Sequence, residues 1–409
     1  MPLELDIAFS HLLRRRRQTA ISVLGVALGV GFFIGIASMM QGFQRYFIEK
    51  VIDVQPHIVV KDEFRAPALQ PALLAYGEGA VEVFGLKPRD EVRGIRGGRA
   101  ILASLREMPG LRVAPTHTAQ ALLRYGVKDV SVTVNGIEPA LERRVTNLEK
   151  DLIRGALDDL YTAGNGVILG IGVAQKAGVT VGDTLSVISP QGVVLKMKVV
   201  GIFSSGIVIM DNIEAYVLLK KAQILHNQPN VINRIRIRLD DVEQAETFAR
   251  RLESRFGYRT ESWQEASRNV LGIFVIQNGI MYSTVGAILI VACFGIFNVI
   301  STVVFEKARD IAILKSMGFA EADIRRVFII EGLIAGLVGS VFGWLLGYAI
   351  VEFLASLRFP IEGFVRGEGF FLYRTSWHYA IGAAVATASA VFAAWLPARR
   401  AARLNPVDI

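Results

Sequence analysis

One cysteine, Cys293, stands in 409 residues, and it lies inside an apolar run. A disulfide framework, a thiolate metal site and a Cys-x-x-Cys redox pair within one chain are thereby excluded. Histidine is nearly as scarce, and His11, His57, His117, His226 and His378 show no metal-ligand spacing. Folding can bring His57 and His117 together, but a hydrogen-bonded or exposed role is the plainer expectation. The sequence has no Gly-x-x-x-x-Gly-Lys-Ser/Thr, no His-Glu-x-x-His and no Gly-x-Ser-x-Gly, so it lacks a Walker A loop for ATP and reads as non-catalytic. Gly164-Asn165-Gly166 and Gly178 with Gly182-Asp183 read as turns and strand punctuation, with no phosphate cradle. Charge is missing where it matters most. Asp, Glu, Lys and Arg are absent from 19–40, 280–304 and 378–396, and 327–357 holds only Glu331 and Glu352.

Each of these four stretches is long enough to cross a bilayer as a helix; the 22 positions of 19–40 alone reach about 33 Å. The expected class is a membrane α-helical protein of four transmembrane helices with a large extracytoplasmic α/β domain, 41–279, between the first and second. With 52% apolar residues, the chain is too apolar for an ordinary soluble domain and too polar for a wholly embedded one. A signal peptide is the rival reading of 19–40, because Arg14 to Arg17 precede it. The run exceeds the usual apolar region of such peptides, and Ala37-Ser38-Met39-Met40 offers no small-x-small cleavage site. Segments 1–18, 305–326 and 397–409 carry twelve Lys and Arg in 53 positions, whereas 358–377 has only Arg358, Arg366 and Arg374. That bias places both termini and the 305–326 loop in the cytoplasm and 41–279 outside. The net charge of +8 is then partly a topology signal, and no motif accompanies it for nucleic acid.

Leu5, Phe9, Leu12 and Leu13 share a helical face ahead of the four arginines, which suits an amphipathic basic segment lying on the inner leaflet; an ordinary positive-inside anchor explains it equally. Glu331 and Glu352 fall near span ends, where snorkelling or pairing with an arginine is the plainer reading beside an ion-path role. Helix packing is written in small residues: Gly25 and Gly29, Gly31 and Gly35, then Gly332, Gly336, Gly339, Gly343 and Gly347, with the alanine-rich 378–396 as a suitable partner. In the α/β block, strands are expected at 56–61, 130–137, 184–189, 193–203 and 232–239, and helices at 171–177, 220–226 and 242–256. The run 232–261 reads as a βαβ unit. Residues 63–99, rich in Gly, Pro and charge, read as a loop-dominated insertion. After Trp263 the pattern is helical without a breaker into 280–304, so stalk helices are expected at both ends of the block.

Between the second and third spans, Glu306 to Gly318 reads as a short amphipathic helix ended by Gly318, presenting Ile311, Ile313 and Leu314 beside charged flanks. It suits a groove on a partner protein, and the alternative is a linker lying on the membrane surface.

These residues resemble the permease subunits of the mechanotransmission (type VII) ABC systems, which include lipoprotein-releasing, macrolide-export and FtsX-type permeases. The resemblance is closest to the lipoprotein-releasing group and covers nearly the whole chain. It rests on Met40-Gln41-Gly42-Phe43, Gly182-Asp183, Val200 to Phe203, Ser262-Trp263, Phe297 to Ser301, Glu306-Lys307 with Asp310 to Gly318, and Pro397 to Arg403 with Pro406. It implies a multi-pass protein of the bacterial inner membrane that forms a homo- or heterodimer of permeases among membrane lipids. It also implies two cytoplasmic ABC ATPase subunits, which carry the ATP and Mg; the permease itself binds no cofactor. ATPase closure would act through Glu306, Lys307, Asp310, Ile311, Leu314, Lys315, Met317 and Gly318 and rock the stalks outside. The implied cargo is a lipoprotein or another hydrophobic molecule, with a periplasmic carrier to receive it. An FtsX-like signalling permease controlling a cell-wall hydrolase is the alternative. One departure stands out: the family's carrier-docking hairpin corresponds here to Ser189-Pro190-Gln191-Gly192, a tight turn.

Overall fold

The computed structural model describes residues 8–10, 12, 16–63, 94–363 and 365–403. Leu5, Leu13, Arg14, Arg15, His11 and Pro406 lie outside them, as do residues 64–93 of the expected insertion. The chain divides into a helical unit (1–46, 272–360, 368–409) and an α/β unit (47–271, 361–367).

Among the described residues, four helices are long and apolar enough to cross a membrane: Arg16–Val54, Arg268–Glu306, Glu321–Ser356 and Ser376–Ala402. The first two have 39 residues each, about 58 Å at 1.5 Å per residue, whereas a hydrocarbon core is about 30 Å thick. The first helix runs unbroken from the apolar segment past Met40 to Val54. The third starts earlier than its apolar run because the Asp323 carboxylate accepts the Ala320 N–H at 3.0 Å and so caps the first turn. The fourth continues through Pro397 to Ala402, so residues 397–402 are helix, not tail.

Small residues set how these helices pack. The glycine row of the third helix changes partner along its length: Gly332 and Gly336 lie against Ala394, Ala390 and Thr387 of the fourth helix, while Gly339, Gly343 and Gly347 lie against Val26, Val30 and Ile34 of the first. Gly31 and Gly35 face Leu346 and Ile350 of the third helix in return, and Gly25 and Gly29 receive Ala292 and Leu289 of the second. The alanine-rich fourth helix is therefore the partner of only part of the row; the rest belongs to the first helix. Missing side chains allow the backbones to approach and gather dispersion contacts, which drive helix association where lipid removes the hydrophobic term.

Among the described residues, the main sheet of the α/β unit has ten strands, β1 (Ile58–Lys61), β2 (Leu111–Tyr125), β3 (Lys128–Ile137), β4 (Leu152–Arg154), β5 (Gly166–Gly170), β6 (Thr184–Ile188), β7 (Val194–Phe203), β8 (Glu214–Leu218), β9 (Arg234–Leu239) and β10 (Arg259–Ser262), and Pro360–Glu362 with Arg366–Glu368 form a separate two-stranded sheet. Pairing runs β10-β1-β9-β2-β3-β8-β5-β7-β4, and β6 pairs with both β2 and β7. The pairings of β2, β3, β8, β5, β7 and β6 thus close into a six-stranded ring. Alternate residues of every one of these strands share one core: Ala121 and Leu123, Val132 and Val134, Val217 and Ala215, Val167 and Leu169, Met197 and Val199, Leu185 and Val187. Period-two alternation with every second residue inside is what ring closure demands.

Beyond the ring, β2 continues into a four-stranded sheet with β9, β1 and β10. Strands β9 and β10 each pair antiparallel with β1, so the expected βαβ unit exists with β1 inserted between its two strands. One face carries Ile58, Val60, Val113, Ile235 and Ile237, packed with Leu102, Leu105, Ala249 and Leu252 from the helices Gly98–Arg106 and Ala245–Phe256. The helices expected at 171–177, 220–226 and 242–256 occur as Ile171–Ala177, Leu219–Leu225 and Ala245–Phe256. The longest strand, β2, together with β5 and β8, was not expected. Residues 113–118 in its first half are buried without a break, so it shows no sustained alternation over its length.

Candidate functional site

The segment after the second helix breaks at Lys307 and resumes as the helix Ala308–Ser316, so Glu306 belongs to the preceding helix. It ends where Gly318 takes φ +98°, a left-handed conformation costly for any side chain, and the Phe319 N–H returns to the Leu314 carbonyl at 3.1 Å. The amphipathic faces are the reverse of a simple apolar presentation. Ile311 is buried and Leu314 half-buried in the core that also holds Ile324, Phe328, Ala398 and Ala401, so both anchor the segment to its own unit. Burial of Ile311 contributes about 1.5–3 kcal/mol.

What remains outside is a stripe of Glu306, Arg309, Asp310, Ile313 and Met317, all exposed. Ile313 is 58% and Met317 72% exposed. Within this helix the spacing of Asp310, Ile313 and Met317 puts them on one side. Lys307 pairs with Asp310 at 2.5 Å, and Lys315 donates to the Ala402 carbonyl at 2.8 Å while facing Glu321 at 3.8 Å. A lysine on the last turn of the fourth helix also favours that helix's dipole. A short helix clamped from behind by Ile311, Leu314 and Lys315, and mixed apolar and charged in front, has the build of a docking element.

The histidines form no such site. His57 and His117 are not neighbours. His117 lies instead beside His226, ring centroids 5.3 Å apart, while the His57 Nδ1 accepts the Leu239 N–H at 3.1 Å. Burial, with the neighbouring His226, pushes His117 down to about 4. Burial, then Arg238, lowers His57. Both are neutral core residues at neutral pH. His378 is held in the helical unit between Ser38 at 3.3 Å and Gln41 at 2.9 Å. Among the described residues no group of three His, Cys, Asp or Glu is placed to hold a metal.

In the α/β unit the β6–β7 connection is a tight turn: the Ser189 N–H donates to Val193 O at 2.9 Å and the Gly192 N–H to Ser189 O at 3.0 Å, with Gly192 at φ +83°. No projecting hairpin stands there. The loop between the third and fourth helices sends residues 361–367 into the α/β unit. Val365 bridges to Ile207, the Arg366 N–H donates to Gly206 O at 2.8 Å, and the Arg366 guanidinium lies 3.6 Å from the buried Asp211 carboxylate. The pattern Arg234-Ile-Arg-Ile-Arg238 on β9 had not been singled out in the sequence. Its period of two puts three arginines on one sheet face, with Arg236 paired to the buried Glu142 at 2.6 Å.

Comparison with known proteins completes the picture. The family model of the MacB-like periplasmic core domain matches residues 19–255, and that of the FtsX-like permease C-terminal region matches 282–406. The lipoprotein-releasing system transmembrane protein LolC of Neisseria meningitidis serogroup B is 27% identical, over 86% of this chain and 84% of its own. The corresponding LolE of Haemophilus influenzae is 25% identical over 95% of this chain and 92% of its own. The crystal structure of the periplasmic region of MacB from Actinobacillus actinomycetemcomitans matches 52% of this chain and 91% of its own, at 15% identity and a TM-score of 0.32.

Proposed function

Because the chain belongs to the ABC transporter permeases that join a MacB-like periplasmic core domain to an FtsX-like C-terminal region, we propose that it is the force-transmitting permease subunit of a bacterial inner-membrane complex. In this reading both termini and the 308–316 helix are cytoplasmic, and the α/β unit is periplasmic. A separate ABC ATPase, carrying ATP and Mg, docks on the stripe of Glu306, Arg309, Asp310, Ile313 and Met317, and a second permease subunit completes the assembly. The observation that carries the reading is the pair of 39-residue helices that enter and leave the α/β unit. A continuous hydrogen-bonded helix transmits displacement along its axis without a hinge.

The cargo is a lipoprotein or another acylated molecule, the activity named for the relatives of the lipoprotein-releasing type. Each buried CH₂ resists withdrawal from lipid by about 0.8 kcal/mol, so several acyl chains require coupled energy. The tight β6–β7 turn argues against a carrier docked through a projecting hairpin at that place. Purification of the complex in native lipid, with mass spectrometry of its components, tests the proposal: an ABC ATPase and an acylated cargo are expected. Preparations that never contain an ATPase contradict it. A strain without the protein that shows a wall or division defect and no cargo accumulation turns the assignment to an FtsX-like signalling permease.

A further inference from the structure

The face of the β10-β1-β9-β2 sheet opposite its apolar core carries charge at nearly every position. Register places Arg234 beside Lys61 and Arg236 beside Val59, with Arg259 and Glu261 on the far strand. Most of these charges are answered. Lys61 pairs with Glu63 at 2.8 Å and Glu261 at 2.9 Å, Arg259 with Glu63 at 3.0 Å, and Arg236 with Glu142 at 2.6 Å. Arg238 donates to the Asp53 and Val145 carbonyls. Arg234 is the exception: among the described residues no carboxylate lies within 4 Å of its guanidinium. It is half-buried, and burial, then Arg236, lowers its pKa from the ordinary value. Glu214, Glu261 and Glu63 act on it from farther away and oppose that lowering, but none closes on it as an ion pair, so its hydrogen-bonding fork is left for a ligand.

Arg234 lines a cavity of about 190 Å³ together with Arg236, Glu214, Tyr216, Met210 and Trp263 and with the Lys61–Glu261 ion pair. The Tyr216 hydroxyl donates to Glu214 at 2.6 Å, which leaves Arg234 as the open donor of the site. Met210 and Trp263 supply apolar wall. The same cavity is bounded by Val54, Gln55 and Pro56, where the first long helix ends, and by Ala266, just ahead of the second.

We propose that this cavity is a binding site for a small carboxylate bearing an apolar group, with the carboxylate on the Arg234 guanidinium and the apolar part against Trp263 and Met210. The planar fork of arginine matches a carboxylate in two parallel hydrogen bonds. A ligand seated there touches the roots of both long helices inside the α/β unit, and its influence on transmission rests on the function proposed above; the binding itself does not.

The test is calorimetric titration of the full chain in lipid nanodiscs with N-acetyl-leucine, its isosteric amide N-acetyl-leucinamide, and inorganic phosphate. The carboxylate is expected to saturate one site, with the amide at least about tenfold weaker. R234Q should weaken the carboxylate by about tenfold or more without changing the amide, R234K should retain part of the affinity, and E214Q should tighten it by removing a like charge. Equal binding of carboxylate and amide, unchanged affinity in R234Q, or saturable phosphate binding with the carboxylate excluded each overturns the proposal. The carboxylate-to-amide comparison and E214Q decide the matter even where R234Q fails to fold. Because no ATPase is present, a negative result here leaves the transmission reading standing.

Discussion

Alanine at Gly343 should loosen the helical unit, and the size of the effect follows from the contact it makes. A methyl group built at this position falls 2.5 Å from Val30 Cβ and 3.1 Å from the Ala27 carbonyl oxygen. Carbon atoms pack at about 3.5–4.0 Å, so the first and third helices must separate by about 1 Å. Val30 is buried and β-branched, and its single favoured rotamer gives it no way to turn aside. Overpacking of this kind costs about 1–3 kcal/mol, offset by up to about 1 kcal/mol from the better helix propensity of alanine. Gly295 is the control, since no atom lies within 4 Å of the same added methyl. Unfolding of the full chain by SDS in mixed micelles should therefore rank Gly343→Ala below wild type by about 1–2 kcal/mol and Gly295→Ala at or above it. Equal stabilities for the two variants would refute the packing argument.

Other outcomes follow from the same structure. Glu142→Gln should destabilise the α/β unit by about 3–5 kcal/mol, because it leaves the buried Arg236 uncompensated, and Glu142→Gln with Arg236→Met should recover most of that in hydrogen-exchange stability. His117, pushed down to about 4 in the folded state, binds its proton more readily when unfolded. Stability of the α/β unit should thus be whole above pH 6.5 and fall by about 3 kcal/mol as pH drops from there towards 4, with the slope lessened by up to one proton in His117→Gln. Ile311→Ala should cost about 2–5 kcal/mol of stability. Ile313→Glu should leave stability unchanged within about 0.5 kcal/mol and weaken ATPase association by about tenfold or more, measured by co-purification.

The charge-free runs made the membrane helices plain in the sequence, because nothing else needs 20 uncharged residues in a row. Helix ends were not: the fourth span was bounded at 378–396, yet its helix runs through Pro397 to Ala402, and the third, capped by Asp323, starts at Glu321, six residues before its apolar run. Short strands with clean alternation, such as β9, were legible. The longest strand was not, since β2 serves two sheets and is buried on both faces in its middle. In the 308–316 helix the sequence showed an amphipathic segment but not which face lies inside. Amphipathicity reports which residues share a side, and only the positions of Phe328 and Ala401 show that Ile311 and Leu314 turn inward. Three arginines at alternating positions on β9 were visible as letters; the partner that Arg234 lacks became visible only when Glu142 was found beside Arg236.

The most direct measurement is ATP turnover by the reconstituted permease and ATPase assembly carrying Asp310→Lys. Asp310 is exposed and its pair with Lys307 contributes little to stability, so the variant should assemble as a folded protein yet lose cargo-stimulated turnover and cargo release together. Full stimulation and release in the charge-reversed assembly would show that the 308–316 helix does not carry the force.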